Sequence, residues 1–536
     1  MPPWQAGGPL HGCCTLTRMV EEMRTAAQIA ALRNERFPDA ASLVRFHEAL
    51  LFARAYPANP EVAREADLAL FSFAERTRGV AGLDEPEVSG IAGTSFSAVF
   101  SYDVARQLAS AFPGQIDADW EGYDIARLAR CFPPAMPLIG EDTTVEANVP
   151  YLDWLRAAKP EQQSDLDWLL WRLTPACYDS LELPLRWNLG DSEVSRSRAR
   201  FASGAPLFYQ DASPIRRRDV SIVDAGPDLP LAALSREEGE AVIARTLAQS
   251  ATRYRELYGF TYGDGGQVIR ADAGRGTVFY LWGLPPERRL PLRAYHCALI
   301  VKNEVPVGYV ETLTLFEHME VGFNIYYTFR EGESAWIYAR LLKLFRQLMP
   351  VTCFSVDPYQ VGHLNDEAIE SGAFWFYRKL GFRPVEPEAA RLLAIEEEKI
   401  AKDPRHRTPP ARLRKLATGY MLYSEDRTWD RFRVRNLGLA AARRMAGRFG
   451  GDAGAMRRSA VAAVAGALGA AGEELPEEWA VVLSLISGLE DWSAREKQTL
   501  AEILSAKTSP AGEYEYVRLT ARHERLREQV ARLGSR

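Results

Sequence analysis

Residues 320–360 read EVGFNIYYTFREGESAWIYARLLKLFRQLMPVTCFSVDPYQ and, after a loop, residues 373–384 read AFWFYRKLGFRP. Residues 320–329 are rich in aromatic and β-branched side chains, which predicts a strand. From Glu333 the period changes: Tyr338, Leu341, Leu342, Phe345 and Leu348 recur at the three- and four-residue spacing of a helix with one buried stripe. Pro350 ends it. Residues 351–356 are strand-like again, and 366–380 are helical up to Gly381, which stands where a helix end takes a left-handed residue. The stretch is therefore a β-turn-α-β-α unit. Its turn, Arg330-Glu331-Gly332-Glu333-Ser334, runs into a helix start whose free N–H groups and positive dipole end suit a phosphate.

At these residues the chain resembles the GNAT superfamily of N-acetyltransferases. That family carries an aromatic-Tyr-x-Lys-x-Gly-Phe stretch, matched by Phe376-Tyr377-Arg378-Lys379-Leu380-Gly381-Phe382. It also places a Gln/Arg-x-x-Gly-x-Gly/Ala loop between a strand and a helix to cradle the pyrophosphate of acetyl-CoA. Arg330 and Ala335 fit that loop, whereas Glu333 occupies its central glycine, where a carboxylate repels phosphate and fills space. The resemblance implies a GNAT-like α/β domain with a mixed sheet over residues 215–425. Its strands are expected at 219–223, 277–282, 295–302, 306–315, 320–329, 351–356 and 418–423, with a long helical region at 231–258. An insertion at 386–415 reads as a charged helix followed by a Pro-rich basic loop.

The flanks read as mostly α-helical. Residues 1–18 form a start that is disordered or over-extended, lacking the basic-then-apolar pattern of a secretory signal. Residues 19–130 hold helices at 41–55 and 61–76 around the breaker Tyr56-Pro57-Ala58-Asn59-Pro60, and 131–214 is a Trp/Pro-rich connection. Tryptophans 154, 168, 171 and 187 there read as core or as the lining of a ligand groove. Residues 426–536 are helical, with an arginine-rich start and an end, 514–532, whose alternating charge predicts an exposed helix suited to oligomer contact.

Composition narrows the function classes. A 47% hydrophobic and 25% charged chain of 536 residues is ordinary for a soluble protein of several domains. A net charge of −6 gives no global basic field for nucleic acid, although the arginine-rich region leaves nucleic-acid modification as a weak third idea. No run of about eighteen apolar residues predicts a membrane span. Six scattered cysteines without a CxxC pair read as reduced, in a cytoplasmic protein, and no His/Cys cluster has metal-ligand spacing.

The resemblance also assigns roles. Tyr377 is the acid that protonates the departing thiolate; Glu311 and Glu320, carboxylates on half-buried strands, are candidate bases, with His318 in a loop as a third. Pantetheine would lie along the backbone of Asn324, Ile325, Tyr326 and Tyr327, with Asn365 helping to hold it. Pyrophosphate would meet Arg330, Gly332, Glu333, Ser334 and Ala335. The expected function is acyl-CoA-dependent N-acyl transfer, from acetyl-CoA to an unidentified amine, directly in a ternary complex shaped by the tryptophan-rich segment and the insertion. The alternative is a GNAT-fold binding or scaffold protein that has lost acetyl-CoA binding, which Glu333 favours; it could equally cap its own helix. His47, alone on a helix, reads as structural.

Overall fold

The structure, a computed structural model, describes residues 23, 25–37, 39–83, 88–132, 135–136, 150–202, 204–469 and 475–536. The expected start at 1–18 lies outside them. The chain folds as two compact units, one of Met1–Asp211, Ala241–Thr261 and Lys302–Pro306, the other of Ala212–Glu240, Tyr262–Val301 and Val307–Arg536.

The first unit holds helices α1 (Ala26–Arg33), α2 (Ala40–Ala55), α3 (Pro60–Phe71), α4 (Tyr102–Ala111), α5 (Tyr151–Ala158), α6 (Asp165–Arg172) and α7 (Pro175–Leu181). It also takes the greater part of α8 (Arg236–Ala251), and α9 (Tyr258–Thr261). The breaker works as both stop and start: the Asn59 side chain accepts the Val62 N–H at 2.9 Å, and Pro60 opens α3 with a φ already set for it. Strands β1 (Ser95–Val99), β2 (Ile116–Ala118) and β3 (Pro184–Asn188) form a small antiparallel sheet ordered β1-β3-β2, so this region is less purely helical than its pattern predicts. Trp168 and Trp187 are interior, packed against Phe132 and against Phe96 and Phe112 respectively. They build this core. Cys131 and Cys177 are joined by a disulfide, which corrects the reading of every cysteine as reduced; Cys297 and Cys353 are free and buried.

The second unit is built on a nine-stranded sheet of β4 (Leu231–Ala233), β5 (Ile269–Gly274), β6 (Thr277–Trp282), β7 (Ala294–Lys302), β8 (Val305–Leu315), β9 (His318–Ile325), β10 (Cys353–Val356), β11 (Arg383–Pro384) and β12 (Met421–Tyr423). The order is β11-β12-β10-β9-β8-β7-β6-β5-β4, so the last strand of the chain inserts between β10 and β11. The β9–β10 pair is parallel, and β8–β9, β10–β12 and β11–β12 are antiparallel. Helices α10 (Ser334–Leu348), α11 (Pro358–Val361), α12 (Asp366–Glu370), α13 (Ala373–Lys379), α14 (Pro387–Lys402) and α15 (Pro410–Leu416) accompany it. The same unit includes α16 (Val434–Phe449), α17 (Ala453–Leu468), α18 (Glu477–Ser484), α19 (Ala494–Thr508), α20 (Tyr514–Arg522) and α21 (Glu524–Gly534).

Four expectations change. Residues 219–223 are no strand: a 3₁₀ turn, Arg217–Asp219, stands there, and Val223 is exposed with no sheet partner to bury it. The strand predicted over 320–329 ends at Ile325, because Tyr327–Phe329 turn into a 3₁₀ helix that places Phe329 in the interior. The helix predicted over 366–380 is two, broken at Gly372 with φ +68°. The C-terminal charged stretch is also two helices, turning at His523 and burying Tyr516, Val517, Leu526 and Val530, so it is packed and not a free exposed helix. No helix among the described residues is long and apolar enough to cross a membrane.

Candidate functional site

Strands β9 and β10 pair only over three residues, from His318↔Cys353 to Glu320↔Ser355. Strand β9 continues to Ile325 while β10 ends at Val356, so beyond Glu320 the side of β9 facing β10 has no ladder partner. A backbone edge left open beside a second, diverging strand can hydrogen-bond an extended ligand. Asn324 and Ile325 lie on that edge. Tyr326 lies just past it, its N–H given to Val307 O at 3.0 Å, and Tyr327 is in the 3₁₀ helix.

The loop beyond the strand is tightly wound. Gly332 N donates to Phe329 O at 3.0 Å, Ser334 Oγ donates to Arg330 O at 3.0 Å, and the first bond inside α10 is Ile337 N to Glu333 O at 2.9 Å. The N–H groups of Ser334, Ala335 and Trp336 thus precede the helix ladder, as a phosphate-binding helix start requires. Glu333 has a role the sequence did not reveal. Fully buried, it takes Arg275 Nη2 at 2.5 Å and Nε at 3.0 Å, and the Ile215 N–H at 3.2 Å. It makes no side-chain cap of α10, so the capping role is not observed. Arg275, in the β5–β6 turn, offsets the charge that the sequence sets against phosphate. Arg330 is drawn to Glu367 of α12 at 2.5 Å and to Ile325 O at 3.3 Å. Asn365 caps α12, accepting Ala368 N at 3.1 Å and donating to Tyr359 O at 3.1 Å, so both ends of its amide are engaged locally.

The alternation of β9 sorts the remaining residues. Met319, Val321, Phe323 and Ile325 are buried, whereas His318, Glu320, Gly322 and Asn324 share the half-open face. On that face Glu311 stands opposite Gly322, and Leu313 opposite Glu320. Burial raises the pKa of both carboxylates; for Glu311 the Tyr295 hydroxyl bond opposes the rise, and for Glu320 Asp357 adds to it while Arg293 and Arg433 oppose it. Arg293 lies 3.4 Å from Glu320, and Arg433 stacks over Tyr420 at 4.5 Å. Arg293, Tyr295, Asp357, Tyr420 and Arg433 thus complete a polar cluster where the strands part. Sequence reasoning missed all five, since they come from four separate segments. His318 is the first residue of β9, not a loop residue; it bonds Ser355 Oγ at 2.9 Å and stacks on Trp429. Burial, followed by Arg293 and Arg433, lowers its pKa to about 3, too weak a base for amine chemistry.

Tyr377 sits on the other side of the sheet. Phe323 packs on Tyr338 and Phe376, and Tyr377 meets Tyr338 edge-on at 5.7 Å and Phe382 at 5.6 Å. Burial raises the pKa of Tyr377, keeping its proton in place. The structure therefore brings Glu311 and Glu320 together on one face, Tyr377 on the opposite face, and the gap between β9 and β10 between them. The Tyr338 hydroxyl, fully buried in the same ring cluster, has no hydrogen-bond partner among the described residues.

The first unit contains an arrangement that resembles a hydrolase triad. His47 Nε2 lies 2.8 Å from Ser197 Oγ, and Nδ1 lies 3.2 Å from Glu48. All three are buried, Ser197 Oγ accepts the Ala92 N–H at 3.1 Å, and Glu48 also holds Arg196 at 2.6 Å. A nucleophile needs an approach path, and this hydroxyl is enclosed. The group pins α2 to neighbouring loops, consistent with the structural reading of His47.

Among the described residues no group of three or more His, Cys, Asp or Glu side chains is placed to hold a metal ion. Two surface concavities lie off the fork, one beside Thr428 and Arg527 and one between Trp375 and Arg407. The chain matches no protein-family model, no curated protein and no solved structure.

Proposed function

We propose that the second unit is a GNAT-type acyl-CoA-dependent N-acyltransferase, using acetyl-CoA and an amine acceptor. The observation that carries this reading is the fork: a parallel strand pair that parts after Glu320↔Ser355, leaving an open backbone edge that leads to an uncapped helix start at Ser334. In this account pantetheine lies along β9, the pyrophosphate meets the start of α10, and the thioester sits in the gap. The amine attacks the thioester carbon and forms the new C–N bond; its proton passes to Glu320 or Glu311, whose raised pKa suits a base. Backbone N–H groups of β9 stabilise the oxyanion. The C–S bond then breaks and the thiolate takes the Tyr377 proton. Acyl-CoA is a cytoplasmic co-substrate, which keeps that compartment in the proposal, although the disulfide removes the argument from reduced thiols.

A second reading, a GNAT-fold binding or scaffold protein without acetyl-CoA affinity, is favoured by Glu333, whose side chain fills the position of the loop's central glycine and is locked there by Arg275. Calorimetric titration with acetyl-CoA and CoA separates the two. Saturable micromolar binding with a matching rise in thermal stability is expected of the transferase; no heat and no stabilisation at millimolar ligand would leave the scaffold.

A further inference from the structure

Helix α12 presents two sides. Its Glu367 holds Arg330 of the loop before α10, while Asp366, Ile369 and Glu370 form one wall of a groove of about 360 Å³. The opposite wall is the chain's own insertion, including Arg407, Thr408, Leu413 and Arg414. Trp375 lies half-buried in the groove, its indole N–H donating to Thr408 Oγ at 3.2 Å, which docks the insertion and fixes the ring. A flat aromatic surface with aliphatic neighbours and a charged rim suits a planar heterocycle.

The charges are unevenly spent. Arg414 is paired with Asp366 at 2.8 Å, whereas among the described residues Arg407 donates to the Pro404 and His406 carbonyls and to no carboxylate. Burial, followed by the nearby charges of Arg217 and Arg407, lowers the pKa of Lys379. Among the described residues no carboxylate pairs with Arg217, Lys379 or Arg407. Arg407, lining the groove without a carboxylate partner among the described residues, can attract an anion, and the positive charges that act on Lys379 add to its field. Glu370, on the other wall, directs that anion to the Arg407 end. The loop contact at Glu367 and the groove wall at Ile369 and Glu370 belong to one helix, whose width with side chains of about 10 Å is a span that a ribose and its base can cover.

We propose that this groove holds the adenine of the acyl-CoA against Trp375, and that Arg407, with Lys379 and Arg217, receives its 3′-phosphate. The inference rests on the acyltransferase reading and deepens it: the insertion 386–415 becomes the element that distinguishes CoA from the same molecule lacking that phosphate. Full-length protein is titrated calorimetrically with CoA and with dephospho-CoA, alongside Arg407→Glu and Lys379→Glu, both at exposed positions. The expected result is roughly tenfold tighter binding of CoA. Each charge reversal should abolish that preference. Equal affinity of the wild type for the two ligands, or a preference that survives both reversals, overturns the groove assignment while leaving the acyltransferase reading intact. Failure of both ligands to bind overturns that reading and the groove with it.

Discussion

Replacing Tyr377 with phenylalanine removes one oxygen and leaves the ring among Tyr338, Phe376 and Phe382. If the phenol protonates the thiolate, Tyr377→Phe lowers kcat by about 10²–10⁴ with CoA affinity within twofold. Equal loss of both would assign the residue to packing. The carboxylates give a separate handle: Glu311 and Glu320 both have raised pKa values, so kcat/KM should fall on the acid side at a pH above the ordinary carboxylate range. Glu320→Gln or Glu311→Gln, whichever is the base, removes that limb; a profile unchanged in both variants would exclude both. Tyr377, Glu311 and Glu320 could be picked out as candidates from sequence because each lies in a local pattern, a motif or a strand. Arg293, Asp357 and Tyr420 could not, because a tertiary cluster leaves no local period.

At the scale of elements, the start of α10 depends on Glu333. Breaking a buried ion pair leaves its partner uncompensated, and since Arg275 is partly exposed, Glu333→Gly should cost about 2–4 kcal/mol in unfolding free energy. Denaturant titration checks this, and an unchanged midpoint would mean that Arg275 finds another partner. Because Glu333 both repels phosphate and holds Arg275, any gain in CoA affinity on its removal is accompanied by a loosened loop. The helix α10 and strands β6 to β10 were readable from period alone. Strand β5 was not, since Ile269–Gly274 alternates weakly and holds Arg270 and Asp272; its place is set by pairing with β6. The break between α12 and α13 could be anticipated at Glu370-Ser371-Gly372, while the packing of α20 and α21 was hidden by their charge, which masks a well-defined apolar stripe.

Among the described residues, four histidines have pKa values lowered by loss of solvent and shape the acid response: the buried His47, His296 and His523, and His318 on the half-open face of β9. Burial holds His47 at about 4 and His296 and His318 at about 3, all below the 6.5 of an exposed ring. As pH falls the unfolded chain binds these protons first, so their contribution to stability is complete above about pH 6.5 and is lost down to about pH 3, by several kcal/mol in total. Thermal melts from pH 7 to 4 should show a steady fall; a flat profile would mean that the rings are hydrated. The disulfide Cys131–Cys177 closes a 46-residue separation, and its reduction should destabilise the first unit by about 4 kcal/mol on chain-entropy grounds. A mixed sheet and a mostly helical first unit were legible from sequence, whereas the disulfide was not, because spacing alone cannot say which thiols meet.

The central claim, that the gap between β9 and β10 and the start of α10 bind acyl-CoA, is tested most directly by hydrogen exchange of the full-length protein with and without saturating acetyl-CoA. The account predicts slowed exchange concentrated at residues 321–325 and 333–336. Protection absent from both segments at millimolar ligand, or confined to other parts of the chain, would contradict it.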